Sequence, residues 1–214
     1  MKIAIIGASG NIGSRIMQEA LARGHNVTAI VRHPEKVGKE SVSLTVKRGD
    51  VENVEETAAL IKDHDAVVVS YSPGRGPGTD YSKYVTVAQK VLEAAKKAGV
   101  KRVVNVGGAG SLYTEGGVQL VDTPEFPEAW RGGSAAQRDS LKVYQQEQEL
   151  EWTFFCPAVM IEPGERTGKF RYNTEHPVYD EKGESRISRQ DYAVALLNEL
   201  ENPQYIRQRF TVGY

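Results

Sequence analysis

Cysteine is nearly absent: Cys156 is the only one, so no internal disulfide can form, which fits a reducing compartment. The four histidines are scattered and show no metal-ligand spacing with each other or with Cys156, so no metal site is expected. Long apolar runs are missing too. The stretch Ile3–Ile6 is stopped by Gly7, too soon for a signal segment or a membrane span. No charge of one sign dominates: 27 Lys and Arg face 28 Asp and Glu, for a net charge of −1. Nothing therefore pulls the chain toward nucleic acid or an anionic membrane, and neither is an expected partner. Repeats, low-complexity tracts and clean linkers are also lacking. These absences predict one cytoplasmic domain over residues 1–214, with a small substrate-side region toward the C-terminus, as a monomer or homodimer.

What is present is an alternation of short β-branched runs with longer amphipathic ones. Strands are expected at Ile3–Ile6, Val27–Val31, Ser43–Val46, Ala66–Val69, Arg102–Val106, Thr153–Phe155 and Phe210–Val212. Helices are expected at Asn11–Arg23, Val54–Ile61, Lys83–Ala98, Ala135–Leu150 and Tyr192–Leu200. Ser188, with Asp191 three residues on, reads as a capping signal for the last helix. This order predicts an α/β fold of Rossmann type: a doubly wound, mostly parallel sheet with helices on both faces.

The chemistry-bearing motif is Gly7-Ala-Ser-Gly10-Asn-Ile-Gly13, between the first strand and first helix. Such glycines permit a tight turn, close approach of backbone to a pyrophosphate, and close helix–strand packing. The free N–H groups at the helix start then attract the phosphates. NAD sites place an acid ~20 residues beyond such a turn, on the ribose 2′-hydroxyl. Here the second strand ends Ile30-Val31-Arg32-His33, without a carboxylate. Arg32, assisted by His33, suits a 2′-phosphate, so NADP(H) is favoured over NAD(H). Gly49-Asp50-Val51 follows the third strand. Asp50 reads either as a contact to the adenine edge or as a cap for the next segment. The Gly- and Pro-rich stretches Ser72–Thr79 and Gly107–Gly117 both follow strands, at the edge where such sheets bind ligands.

The GASGNIG turn, VRHPEKV, GDV and DAVVVS resemble atypical short-chain dehydrogenases/reductases, along with PAVMIEPGERTG and the ESRIS..DYA segment. Within these the chain is similar to the NmrA-like, NADH-flavin-reductase branch and to biliverdin-IXβ reductase/flavin reductase. The resemblance implies use of NAD(P)H and reduction of flavins, quinones or similar planar acceptors, with free flavin as a substrate. It implies that Gly7, Ser9, Gly10, Asn11, Ile12 and Gly13 hold the pyrophosphate and Arg32 the 2′-phosphate. Asp50 and Val51 would flank adenine, Ser70 and Tyr71 the ribose or nicotinamide side, and Gly107, Gly108 and Pro157 the nicotinamide.

The departures are specific. Many short-chain dehydrogenases use a Tyr-x-x-x-Lys pair, yet none of the ten tyrosines here has a lysine four positions on. Trp130 and Ser134 stand where that pair is expected, and Gly108 and Val159 replace a serine and a histidine of biliverdin-IXβ reductase. A flavin or quinone can take hydride and collect its proton from water, so alignment and water exclusion suffice. Ser111, Tyr113 and Tyr71 are the candidate catalytic side chains, with Phe126 and Trp130 as further apolar walls. Cys156 reads as a small buried residue, and Asp122, Glu162 and Glu165 as solvated or capping groups. The missing pair equally suits an NmrA-like redox sensor that binds NADP(H) and acts through a protein partner. An epimerase is disfavoured by the same gap.

Overall fold

The computed structural model describes residues 1–214. In chain order the strands are β1 (Lys2–Ile6), β2 (Asn26–Val31), β3 (Leu44–Arg48), β4 (Ala66–Val69), β5 (Arg102–Val106), β6 (Glu151–Cys156), β7 (Met160–Glu162), β8 (Arg171–Asn173), β9 (Arg186–Ser188) and β10 (Gln208–Gly213). The helices are α1 (Gly13–Ala22), α2 (Val54–Ile61), α3 (Lys83–Ala98), α4 (Glu128–Gln146) and α5 (Arg189–Glu201). Eight strands form one sheet in the order β3-β2-β1-β4-β5-β6-β10-β8. All pairings are parallel except β10 with β8. Strands β7 and β9 pair separately.

The central strand β4 is apolar at every position, and β1 from Ile3 to Ile6, because both faces are covered. Along β1, Ile3 and Ile5 join the core under α1 and α5, whereas Ala4 and Ile6 join the core under α2, α3 and α4. The period-2 alternation thus feeds two cores from one strand. At β6 the ring of Phe155 stacks between Tyr192 of α5 and Phe210 of β10, with centroids 4.3 and 4.2 Å away. At the opposite edge from the strand ends, Arg102 Nη2 donates to Glu199 Oε1 at 2.8 Å, with both side chains buried. Glu199 also accepts from the backbone N–H groups of Gln204 and Tyr205, so the pair ties β5 to the chain leaving α5.

Several boundaries differ from the sequence reading for local reasons. The fourth helix, expected over 135–150, begins at Glu128, because Gly132 and Gly133 are helical and take the ring of Tyr81 against their backbone. It ends at Gln146, where the Glu147 carboxylate accepts from the N–H groups of Glu149 and Leu150 and turns the chain into β6. The first helix starts at Gly13, since residues 10–12 stay in the glycine turn. The third strand runs two residues further than expected, to Arg48. Ser188 caps α5 as its spacing indicated, its hydroxyl accepting from Asp191 N–H at 2.9 Å.

The three-residue strands β7, β8 and β9 were not anticipated. The chain between β7 and β8 is latched across α1 and α5. Arg166 donates two 2.8 Å bonds to Glu19, and the fully buried Asp191 carboxylate accepts from Thr167, Gly168 and Tyr214.

Candidate functional site

The chain runs outward from β1 to β2 and β3, then crosses back to β4. The loops after β1 and β4 therefore diverge and leave a crevice at the strand ends. The glycine turn lies in that crevice. Gly7 N–H donates to Ile30 O, and Gly10 N–H folds back onto Gly7 O, each at 3.0 Å. Gly7 has φ +79°, and a Cβ there would run into the Ser70 carbonyl oxygen of β4's outgoing loop. A Cβ at Gly13 would strike the Gly7 carbonyl oxygen. These two glycines let β1, β4 and α1 close on one another.

The first turn of α1 has no side-chain cap and no acidic residue. The backbone N–H groups of Asn11, Ile12 and Gly13 find no acceptor within the chain. Orphan donors at the positive end of a helix form a cradle for a diphosphate, so the residues present fit a dinucleotide. Ser9, Gly10 and Asn11 are exposed on its surface.

Arg32 emerges exposed from β2 and makes no ion pair. The exposed His33 turns its Nδ1 toward Glu35, 3.2 Å away. Asp50 is exposed and its carboxylate closes a local turn by accepting from Glu52 N–H at 3.0 Å. Asn53, not Asp50, caps α2, accepting from Glu56 N–H. Val51 is buried beneath this loop. Ser70 is half-buried at the end of β4, its N–H on Ile6 O.

Tyr71 lies edge-on to Tyr84, with centroids 6.1 Å apart. Burial pushes its hydroxyl up, and the charges acting on it are Lys83, Glu52 and Arg32. Lys83 and Glu52 form a 2.5 Å ion pair.

The other catalytic candidates, Ser111 and Tyr113, are engaged by contacts within the chain. Ser111 is fully buried. Its hydroxyl donates to Gly108 O at 3.1 Å and lies 3.3 Å from Cys156 Sγ, while its carbonyl oxygen accepts from Arg209 and Gln119. It orders the loop after β5 and presents no group outward. Tyr113 packs beneath the Arg209 guanidinium, 5.1 Å from ring centroid to carbon. It lines a polar cavity of about 480 Å³ with Gln119, Arg138, Lys142 and Glu175, which shares no residue with the glycine turn. Cys156 is sealed, and burial pushes its thiol up to about 11, so it is no nucleophile. Phe126 is held beneath Arg131 and Asp122 pairs with Arg138, while Trp130 stays exposed.

Gly107 and Gly108 end β5 in buried positions, and Pro157 leaves β6 buried. A Cβ at Gly107 would meet the Phe154 ring. One at Gly108 would meet the side-chain amide of Gln137, and one at Gly110 the Cβ of Ser134. Gln137 and Ser134, one turn apart on α4, both approach the loop after β5. The sequence reading passed over Gln137. The signal was a glycine run after a strand paired with polar residues at i and i+3 on a later helix. No tyrosine or lysine takes part in this contact.

A parallel sheet with a glycine-lined anion cradle at its switch point defines a dinucleotide-binding protein. The NAD(P)H-binding family model matches residues 7–203, and the chain belongs to that family. YwnB of Bacillus subtilis is 42% identical over 99% of this chain and 98% of its own length. Among solved structures, a candidate epimerase from Bacteroides thetaiotaomicron is 42% identical with a TM-score of 0.93, covering 100% of this chain and 96% of its own. A candidate NADH-flavin reductase from Streptococcus pneumoniae is 35% identical with a TM-score of 0.87, covering 100% and 99%. A protein from Burkholderia pseudomallei named as a candidate exported protein is 45% identical, with a TM-score of 0.90 and full coverage of both chains. The protein is accordingly an NAD(P)H-binding, oxidoreductase-like member of the atypical short-chain dehydrogenase/reductase, NmrA-like group. No helix is long and apolar enough to cross a membrane.

Proposed function

We propose that the protein is an NADPH-dependent reductase that delivers hydride to a planar acceptor such as a free flavin or a quinone. The observation that carries this reading is the face α4 turns toward the loop after β5. It offers a serine and an amide, with no ionisable pair to move a proton. An epimerase or alcohol dehydrogenase needs such a group beside the reacting carbon.

The N–H groups of Asn11, Ile12 and Gly13 hold the diphosphate, and Arg32 pairs with the 2′-phosphate. Asp50 and Val51 border adenine, and Ser70 and Tyr71 line the ribose or nicotinamide side. Gly107, Gly108 and Pro157 give the nicotinamide end room against the sheet. The bound dinucleotide supplies the hydride, and the acceptor takes its proton from water. Protein groups here bind, align and exclude solvent. The region beyond β6, including the exposed Val159 and Met160, forms the acceptor side. Cytoplasmic residence belongs to this reading. Cell fractionation tests it, given the name of the Burkholderia relative.

Steady-state NADPH oxidation with FMN, riboflavin and menadione tests the proposal, with NADH run alongside. Turnover with at least one acceptor is expected. Tight NADPH binding without turnover on any of them refutes the reductase reading. It favours the NmrA-like sensor, which the same absence of an acid–base pair supports. A sensor predicts a protein partner retained in only one redox state of the dinucleotide.

A further inference from the structure

We infer that Gln137 is the acceptor-binding residue: its side-chain amide hydrogen-bonds a carbonyl oxygen of the flavin or quinone. This rests on the reductase reading and adds a specificity-determining group to it. Three observations lead there. First, Gly108 leaves room for one thing, the Gln137 amide; a Cβ at 108 would stand 3.1 Å from Gln137 Cδ and overlap Oε1. Gly108 has φ −132° and ψ 145°, an extended conformation open to any residue, so the glycine is there for space and not for backbone freedom.

Second, the Gln137 amide has no hydrogen-bond partner in the chain. The only sealed side-chain polar atom lacking a partner is Arg102 Nε, far from α4's first half. The unpaired amide therefore opens to solvent beside the end of β5. Third, Gln137 lies one turn from Ser134, where the acid–base pair is expected, and its amide stays neutral over the working pH range. It can donate to a carbonyl oxygen as electron density rises there, and it cannot supply the proton. That chemistry suits a two-electron acceptor conjugated to a carbonyl. The hydride brings the electron pair, the dihydronicotinamide is oxidised, and water provides the proton.

The test compares Gln137→Met, which keeps length and loses the hydrogen bond, with Gly108→Ala, whose methyl displaces the amide. FMN affinity is read by quenching of flavin fluorescence in the presence of NADP⁺, where no turnover occurs. NADP⁺ affinity is read separately. Each variant should weaken FMN binding about 2- to 10-fold, the worth of one neutral hydrogen bond. NADP⁺ affinity should be unchanged in Gln137→Met. The double variant should be no worse than either single one. Unchanged FMN affinity in Gln137→Met, or full additivity of the two changes, overturns the assignment while leaving reduction intact. Wild-type protein that binds no FMN and oxidises NADPH with none of FMN, riboflavin and menadione overturns the reductase reading as well.

Discussion

Replacing Gly7 and Gly10 by alanine, one at a time, separates two jobs inside the glycine turn. Gly7 has φ +79°, where an L-residue costs about 1–2 kcal/mol. Its new methyl would also overlap the Ser70 carbonyl oxygen, so β1 and β4 must part slightly. Overpacking of that kind costs about 1–3 kcal/mol. Together they predict a loss of about 2–5 kcal/mol for Gly7→Ala, a large share of a typical domain's stability. Gly10 has no positive φ, and its added Cβ would sit 3.2 Å from Gly7 O with its other side open. Gly10→Ala should stay within about 1 kcal/mol of wild type, yet its methyl stands on the surface that a diphosphate must touch. NADPH affinity should drop at least about tenfold, equivalent to 1.4 kcal/mol. Urea unfolding followed by circular dichroism, beside fluorescence titration with NADPH, reads both effects. A Gly7→Ala protein as stable as wild type would refute the turn geometry. A Gly10→Ala protein that binds NADPH undiminished would refute the placement of the diphosphate.

Other expectations follow from the buried polar groups. Glu199→Gln leaves the buried Arg102 without its counter-charge and should cost about 3–5 kcal/mol in urea unfolding; a loss below 1 kcal/mol would contradict the ion pair. Cys156 should ignore a thiol reagent in native protein at pH 8 and react fully in denaturant, because burial holds the thiol protonated. The Arg166 hydrogen bond, with Arg23, holds Glu19 below the ordinary glutamate range. A depressed acid contributes stability above its unfolded pKa and loses it as pH falls through the folded one. Hydrogen exchange across residues 163–170 should thus quicken as pH falls below the usual glutamate range, beyond the change in intrinsic rate. Arg166→Ala should abolish that step. With Arg166 largely exposed, the stability change should stay within about 1 kcal/mol.

The parallel sheet was legible because strands buried on both faces leave uninterrupted apolar runs, as at Ile3–Ile6 and 66–69. The glycine turn was legible because its spacing reflects backbone contacts made within a few residues. Strands β7 and β9 were not, since each has three residues and exists through pairing between segments some 25 positions apart. The start of α4 was hidden by Gly132 and Gly133, which read as a break until Tyr81 fills the space beside them. Position after a strand also says nothing about side-chain direction. Ser111 follows β5 as a catalytic residue would, yet its hydroxyl lies against Gly108 O and Cys156. Gln137 became visible only when the helix phase aligned it with Gly108.

The central claim is that the glycine turn and Arg32 together hold NADP(H). The most direct measurement is a fluorescence titration of wild-type and Arg32→Ala protein with NADPH and NADH. Wild type should prefer NADPH, and Arg32→Ala should lose about 10- to 100-fold in NADPH affinity with little change for NADH, the worth of one charged hydrogen-bonded contact. Equal affinity of wild type for the two dinucleotides, unaltered by Arg32→Ala, would contradict the account.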